Sequence, residues 1–161
     1  MKYYERVDVN GNTQVTRLDE IVAFEIHYAY PNRMVALNNR NTNVITTEDA
    51  ELKALFYKMI EEDGYVKITT SQKNVMYFKS DAITGANFNK TGKEATLFSY
   101  ITQGYNYVTT IASEIKALRD FIDEQNKDPE PPEPEPVTIL DFFHDGEGFY
   151  KAYVAYAESH K

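Results

Sequence analysis

Thr46-Thr47 followed by Glu51-Leu52-Lys53-Ala54-Leu55 is the stretch that decides the fold, because it occurs twice. The second copy reads Thr109-Thr110 followed by Glu114-Ile115-Lys116-Ala117-Leu118, so that Thr46 corresponds to Thr109 and the spacing is constant throughout. Self-similarity at a fixed period is typical of a duplicated structural unit. The chain is therefore predicted to contain the same unit twice.

The two copies also match upstream of this stretch, where equivalent residues are separated by one residue less. One single-residue insertion accounts for the difference between the two spacings. The matched pairs are Tyr3 with Tyr65, Arg17 with Lys79, Asp19 with Asp81, and Ile21 with Ile83. We call the spacing that carries Tyr3 onto Tyr65 the repeat spacing. We predict a first repeat over residues 1–63 and a second over residues 64–127. A linker at 128–136 and a tail at 137–161 follow.

The first repeat is predicted to be an antiparallel β-meander followed by one helix. Asn10-Gly11-Asn12 favours a tight turn, because Asn and Gly tolerate positive φ. The predicted strands cover residues 3–9, 13–18, 21–30 and 33–38, with a last short strand that ends at Ile45. Thr46 or Thr47 is the expected helix cap, and Asp63-Gly64 the expected helix end. The inner stripe of this helix is Leu52, Leu55, Phe56, Met59 and Ile60.

The second repeat shows the same pattern. Its predicted strands cover residues 65–70, 75–79, 83–89, 94–101 and 105–109, and its helix runs from Ile111 to Glu124. Ile111, Ile115, Leu118 and Ile122 form the predicted inner stripe. About sixty residues is near the lower limit for independent stability, so we expect an α+β unit in which the two repeats pack with pseudo-two-fold symmetry. Whether they share one sheet or pack face to face stays open.

Each repeat resembles the small FlbD-like proteins found beside flagellar genes and in phage genomes. Four segments carry the resemblance: Val9 to Asn12, Leu18 to Ile21, Val35 to Asn38, and Val44 to Thr46. It covers residues 3–60 and, more faintly, residues 65–122. The resemblance implies a β-meander with a helix and a phage or mobile-element origin, and it carries over no catalytic residue. This chain departs from the family in being duplicated and tailed.

The charge of the chain is concentrated near its C-terminal part. The net charge is -8, yet residues 1–113 hold 13 acids and 12 bases, whereas residues 114–149 hold 11 acids and 3 bases. Direct nucleic-acid binding is disfavoured, because phosphate neutralisation needs a basic face. The absence of cysteine excludes disulfides and Cys-ligated zinc. No segment has the apolar run of a signal peptide or a membrane span, so we expect a cytoplasmic protein, in the host cytoplasm or in a virion if phage-encoded.

Asp128 to Pro136 is predicted to be an extended acidic spacer. It holds five of the six prolines, and alternating Pro and Glu favours polyproline II. Its glutamates are Glu130, Glu133 and Glu135, and Asp128 adds a fourth acid.

The tail beyond the spacer is predicted to be a docking segment that ends in a short helix from Phe149 to about Ser159. Its apolar residues would be sticky if exposed alone, so they must dock on this chain, on a second copy or on another protein. The predicted docking residues are Ile139, Leu140, Phe142, Phe143, Phe149, Tyr150, Tyr153 and Val154. Ile139 to Phe143 also resembles the sliding-clamp-binding peptide, but Pro136 replaces its usual glutamine.

No catalytic, cofactor or metal site is predicted. His27 is interpreted as structural or surface. The acid-rich group around His144 (Asp141, Asp145, Glu147) could ligate a divalent metal, but its spacing matches no known metal motif and a solvated turn is the better interpretation.

Three functions remain open. The first is a non-enzymatic assembly protein, such as a phage structural or accessory component, whose tail docks on a neighbouring subunit. The second is a regulator or inhibitor of a host nucleic-acid-handling protein that uses the acidic spacer or the aromatic tail. The third is a small-ligand or metal-binding module.

Overall fold

The computed structural model describes residues 3–127, which lie in one compact unit. Within this range the fold is α+β, with ten strands in three antiparallel sheets and two helices. The strands are β1 Tyr3–Val7, β2 Thr13–Arg17, β3 Ile21–Ile26, β4 Met34–Asn38, β5 Asn43–Thr47, β6 Val66–Thr69, β7 Val75–Phe78, β8 Ile83–Phe88, β9 Ala95–Ser99 and β10 Tyr107–Thr109. The helices are α1 Ala50–Glu62 and α2 Ala112–Gln125, and short 3-10 helices cover Leu18–Glu20 and Ser80–Ala82.

The largest sheet contains strands from both halves of the chain, in the order β5-β4-β3-β7-β6. Strand β7 lies antiparallel on β3, with Ala23 opposite Phe78 and Ile26 opposite Val75. The strands β8, β9 and β10 form a second sheet in the order β10-β9-β8, and β1 and β2 form a third. The question left open by the sequence is therefore answered: the two halves share a sheet.

Strand β3 is buried on both faces. A register shift against β4 lies between Ile21 and Ala23, and such a bulge breaks the alternation of side chains. As a result Ile21 and Phe24 enter one core while Val22 and Ala23 enter the other. The strand was predicted to run to Tyr30, but it ends at Ile26.

Two apolar cores occupy the two faces of the five-stranded sheet. The first includes Phe24 and, from α1, the buried Leu52 and Phe56. The second contains Phe78 of β7 and Leu118 of α2, with side chains of β6, β9 and β10 around them. Leu55, Met59 and Ile60 pack against the first core, which confirms the predicted inner stripe of α1.

The helix starts differ from the sequence prediction. Thr46 and Thr47 belong to β5, where they pair with Val35 and Met34. The cap of α1 is instead Asp49, whose Oδ2 accepts a hydrogen bond from Leu52 N at 2.9 Å. The predicted cap was wrong because the strand continues through both threonines.

The inner stripe of α2 also differs from the prediction at its first position. Ile111 precedes the helix and is exposed. Glu114 and Leu118 are buried, and Ile115 and Ile122 are half-buried against the second core. At the repeat spacing, the buried Leu52 and Phe56 of α1 correspond to the buried Glu114 and Leu118 of α2. In the repeated helix sequence the spacing is longer by one residue, so that Leu52 corresponds instead to Ile115.

Candidate interaction site

The N-terminal hairpin, residues 3–17, is a separate two-stranded sheet. In the described part of the chain β2 pairs with β1 alone, with Glu5 opposite Val15. Val7 is 68% exposed and Val15 is 55% exposed, so apolar strand residues face solvent. Isolated hairpins are marginal in water, and this one gains support where Tyr4 packs against the first core.

The turn of this hairpin is well defined by hydrogen bonds. A carboxylate oxygen of Asp8 accepts from Asn10 N and from Asn12 N, both at 2.9 Å. The backbone hydrogen bond from Asn12 is the largest cause that lowers the pKa of Asp8 from its ordinary value. Gly11 takes φ +83°, a value that glycine adopts without strain. The hairpin is thus a pre-formed element.

Strand β8 has a side that no strand of residues 3–127 occupies, which we call the open edge. Its other side pairs with β9, with Ala86 opposite Leu97. Ile83, Ala86 and Phe88 are half-buried, whereas the central strand β3 is fully buried up to Glu25. An open edge exposes unpaired main-chain N–H and C=O groups, which can pair with another strand.

An apolar surface continues beside the open edge. Phe98 of β9 is 48% exposed and lies opposite Gly85 of β8. Tyr100, which follows β9, is also exposed. Large exposed apolar side chains that lie together are typical of interaction surfaces.

The buried polar side chains of the described residues are satisfied by hydrogen bonds. Glu114 accepts from Thr69 N at 2.6 Å, from Thr69 Oγ1 at 2.7 Å and from Thr109 Oγ1 at 2.9 Å. Tyr105 donates its hydroxyl to Glu25 Oε2 at 2.7 Å. Burial, followed by this hydrogen bond, raises the pKa of Tyr105, so the phenol stays protonated at neutral pH. Among residues 3–127, no buried side-chain N or O lacks a hydrogen-bond partner.

The depressions on the described part of the chain include one of about 590 Å³ beside α2, lined by Tyr65, Ala117 and Phe121. A depression of about 360 Å³ lies between the 3-10 helix Leu18–Glu20 and α1, near the small end of ligand pockets. Two of its five charged lining residues, Lys58 and Glu62, form an ion pair at 3.8 Å. No group of three or more His, Asp or Glu side chains within residues 3–127 could hold a metal ion. No helix of that range is long and apolar enough to cross a membrane.

The docking residues predicted from the sequence lie outside the described residues. This applies to every predicted position of the spacer, the tail and the acid-rich group around His144. His27 lies just after β3, and its Nδ1 accepts from Ala29 N at 3.1 Å. The sequence reasoning did not single out the open edge or the N-terminal hairpin, although the match of Asn12 to Asn74 at the repeat spacing was available.

Comparison with known proteins found no matching family model, no matching curated protein and no matching solved structure. The resemblance to FlbD-like proteins therefore stays a prediction.

Proposed function

We propose that this chain is a non-enzymatic protein–protein interaction or assembly protein that pairs its strands with those of a partner. The observation that carries the proposal is the coexistence of a pre-formed, solvent-facing hairpin and an open strand edge in one body. Strand addition at a sheet edge is a common recognition mode, in which main-chain hydrogen bonds give affinity and alternate side chains give specificity.

The open edge of β8 contrasts with the central strand of the five-stranded sheet, although β5, β6 and β10 also lie at sheet ends. Both sides of β3 are occupied, by β4 and by β7. Native proteins usually shield edge strands with charges, prolines or bulges. Strand β8 carries no charged residue and no proline, and its register shift is confined to its first residues, so the open edge from Ala86 to Phe88 suits pairing.

We also propose that the two halves are tandem repeats, residues 1–63 and residues 64–127. Each half has two strands, a 3-10 helix, three strands and an α-helix in the same order. The two 3-10 helices, and likewise the strands β3 and β8, are separated by the repeat spacing, and a register shift follows the first residue of both strands. Pseudo-two-fold packing gains no such support, because β7 lies on β3 whereas β2 lies on no strand of the second sheet.

The proposed role as a phage structural or accessory component, with a tail that docks on a neighbouring subunit, depends on residues 128–161. The alternative, a regulator of a host nucleic-acid-handling protein, depends on the same residues. Both lie outside the described residues and remain predictions.

The test of the proposed function blocks each half of the site separately in the full chain. Val15→Lys places a charge on the exposed hairpin face, and Thr84→Lys places one beside the open edge. Glu48→Lys, at an exposed loop position before α1, is the matched control. The immobilised full chain is probed with proteins from its source organism and with more of the same chain. Light scattering then gives the mass in solution, which is compared with the monomer mass of 18.6 kDa.

We expect at least one interaction, with itself or with another protein, that survives Glu48→Lys and is lost in Val15→Lys or Thr84→Lys. An interaction profile that is identical in all four proteins would overturn the proposal. Circular dichroism of each variant checks that a lost interaction is not a lost fold.

A further inference from the structure

Strand β3 shows how this fold receives a hairpin at a strand edge. The hairpin formed by β6 and β7 adds to β3, with Phe24 directly opposite Tyr77. One end of this ladder is extended by a hydrogen bond from Lys79 N to Val22 O at 2.8 Å. A sheet begun by one half of the chain is therefore completed by the hairpin of the other half.

The N-terminal hairpin has the same turn as the hairpin β6–β7, and the repeat spacing carries one turn onto the other. In both turns two backbone hydrogen bonds connect equivalent positions, and one residue has positive φ. The bonds of the first turn are Asp8 N to Asn12 O at 2.8 Å and Gly11 N to Asp8 O at 3.0 Å. Those of the second are Thr70 N to Asn74 O and Lys73 N to Thr70 O, both at 2.9 Å. The two turns therefore lead into their second strands through the same backbone hydrogen bonds.

One asparagine marks the difference between the two hairpins. Asn74 is 1% exposed, and its Oδ1 accepts from Tyr28 N at 2.9 Å, just beyond the ladder on β3. The equivalent residue of the N-terminal hairpin, Asn12, is exposed. The residue equivalent to Tyr28 is Lys90, which follows β8. The asparagine that accepts this hydrogen bond thus has an equivalent, Asn12, on the exposed hairpin. The residue whose N–H donates it has an equivalent, Lys90, beside the open edge.

The open edge of β8 is the counterpart of the edge of β3 that receives β7. Both strands have six residues, and both pair with the following strand through a register shift. Ile21 and Phe24 are fully buried in β3, whereas their equivalents Ile83 and Ala86 are only half-buried in β8. The difference is what a missing neighbouring hairpin produces.

We propose that the partner of the open edge is a second copy of this chain. The N-terminal hairpin of one copy adds to the next copy, with β2 antiparallel to β8. This inference rests on the proposed function and names its partner. In this pairing β8 takes the place of β3, and β2 takes the place of β7, each shifted by the repeat spacing. The register of β3 and β7 then places Val15 opposite Ala86 and Gln14 opposite Asn87. It also directs Asn12 Oδ1 to Lys90 N of the next copy.

The side chains brought together in this register are compatible. Val15 and Ala86 are both apolar and replace the larger pair of Tyr77 and Phe24, so the exposed valine becomes covered. Gln14 and Asn87 are both exposed amides; Gln14 Oε1 accepts from Arg6 Nε at 2.8 Å, and its NH₂ group can still donate to Asn87 across the strand pair. The register therefore puts no like charges directly opposite each other.

Each copy offers one hairpin and one open edge, and the two surfaces differ. Such a heterologous contact gives a ring when its rotation closes and an open filament when it does not.

Engineered disulfides test the partner and the register together, because the chain has no cysteine of its own. Full-length Gln14→Cys is mixed with full-length Asn87→Cys under mild oxidation. Residues opposite each other in an antiparallel pair have Cα atoms about 4.5–5.5 Å apart, within disulfide range. The matched control replaces Asn87→Cys by Thr96→Cys, which lies directly opposite Asn87 on β9 and so one strand further, roughly 10 Å from residue 14.

We expect a mixed disulfide between residues 14 and 87, identified by peptide mapping, at a yield several times that of the 14–96 mixture. Equal yields, or no mixed disulfide, would overturn the inference. A double variant that carries Gln14→Cys and Asn87→Cys in one chain should give covalent multimers, and an intramolecular disulfide in its place would also overturn it.

A second variant pair tests the transferred asparagine bond. Asn12→Ala should raise the dissociation constant for self-association about tenfold, as expected for one hydrogen bond, with a small loss of thermal stability because the Asn12 side chain also bonds Asp8. Asn10→Ala, in the same turn, should leave both unchanged. If the full chain is a monomer but hairpin-dependent binding to another protein persists, this inference fails and the proposed function stands. If that binding is absent as well, both fail.

Discussion

Replacing Glu114 by alanine is expected to lower the free energy of unfolding by about 4 kcal/mol, from the bonds that its carboxylate makes. The carboxylate accepts three hydrogen bonds, two from Thr69 and one from Thr109, and it joins β6, β10 and α2. Hydrogen bonds to a charged group contribute about 1.5–3 kcal/mol each, and a buried donor left unpaired costs about 1–3 kcal/mol. The sum is reduced because the two threonine hydroxyls can rotate toward other acceptors, whereas Thr69 N cannot.

The variant Glu114→Gln should cost only about 1–2 kcal/mol, because the charge is lost but the connections remain. Its amide oxygen can keep the bond from Thr69 N, and its NH₂ group can donate to the Thr69 hydroxyl. Glu51→Ala is the matched control, because Glu51 is the first-turn acid of α1 and is exposed. It should cost at most about 0.5–1 kcal/mol through the helix dipole.

Urea unfolding of the full chain, followed by far-ultraviolet circular dichroism, measures all three variants. The reasoning would be refuted if Glu114→Ala fell within about 1 kcal/mol of Glu51→Ala. It would equally be refuted if Glu114→Gln were as costly as the alanine variant, because the charge and not the connection would then dominate.

Three further predictions concern a cap, a turn and the buried phenols. Asp49→Ala should lower the free energy of unfolding by about 1 kcal/mol through loss of the α1 cap, and Glu48→Ala should not; thermal denaturation compares them. Gly64→Ala should cost about 1 kcal/mol in the same assay, because residue 64 has φ +65° and a side chain disfavours that conformation. Burial raises the pKa of Tyr77 and Tyr107 to about 12. Since the folded pKa is above the ordinary value of 10.0, their contribution to stability is complete below pH 10 and is lost as the pH rises toward 12. Tyrosinate absorbance should show phenols that ionise only with unfolding, and a single transition near pH 10 for all tyrosines would contradict this.

The sequence predicted the elements well where local signals decide them. Gly11 in the first turn, the inner stripe of α1 and the end of α1 at Asp63-Gly64 all follow from nearby residues. The cap of α1 was wrong, because both Thr46 and Asp49 are good cap residues. Pairing of Thr46 with Val35 on β4 decided the choice, and the local sequence does not encode that pairing.

The burial of Glu114 could not be predicted for a related reason. A first-turn acid is usually a surface residue, and nothing next to Glu114 says otherwise. Its burial depends on Thr69, which lies far back in the chain on β6. The candidate interaction site could not be predicted for the same reason. Its open edge is defined by which strands pair with β8, and the local sequence does not encode that pairing. The interaction residues predicted in the tail stay predictions.

The sheet shared between β3 and β7 has a consequence for protein synthesis. The ribosome makes β3 first, and β7 follows only after β4, β5, α1 and β6. At roughly 5–20 residues per second, the nascent chain waits several seconds for the strand that covers β3. During that interval the edge of β3 is open to any hairpin with the same turn, including the N-terminal hairpin of the same nascent chain or of a neighbour on the same messenger RNA. We therefore expect slow codons over residues 27–78 to increase misassembled product.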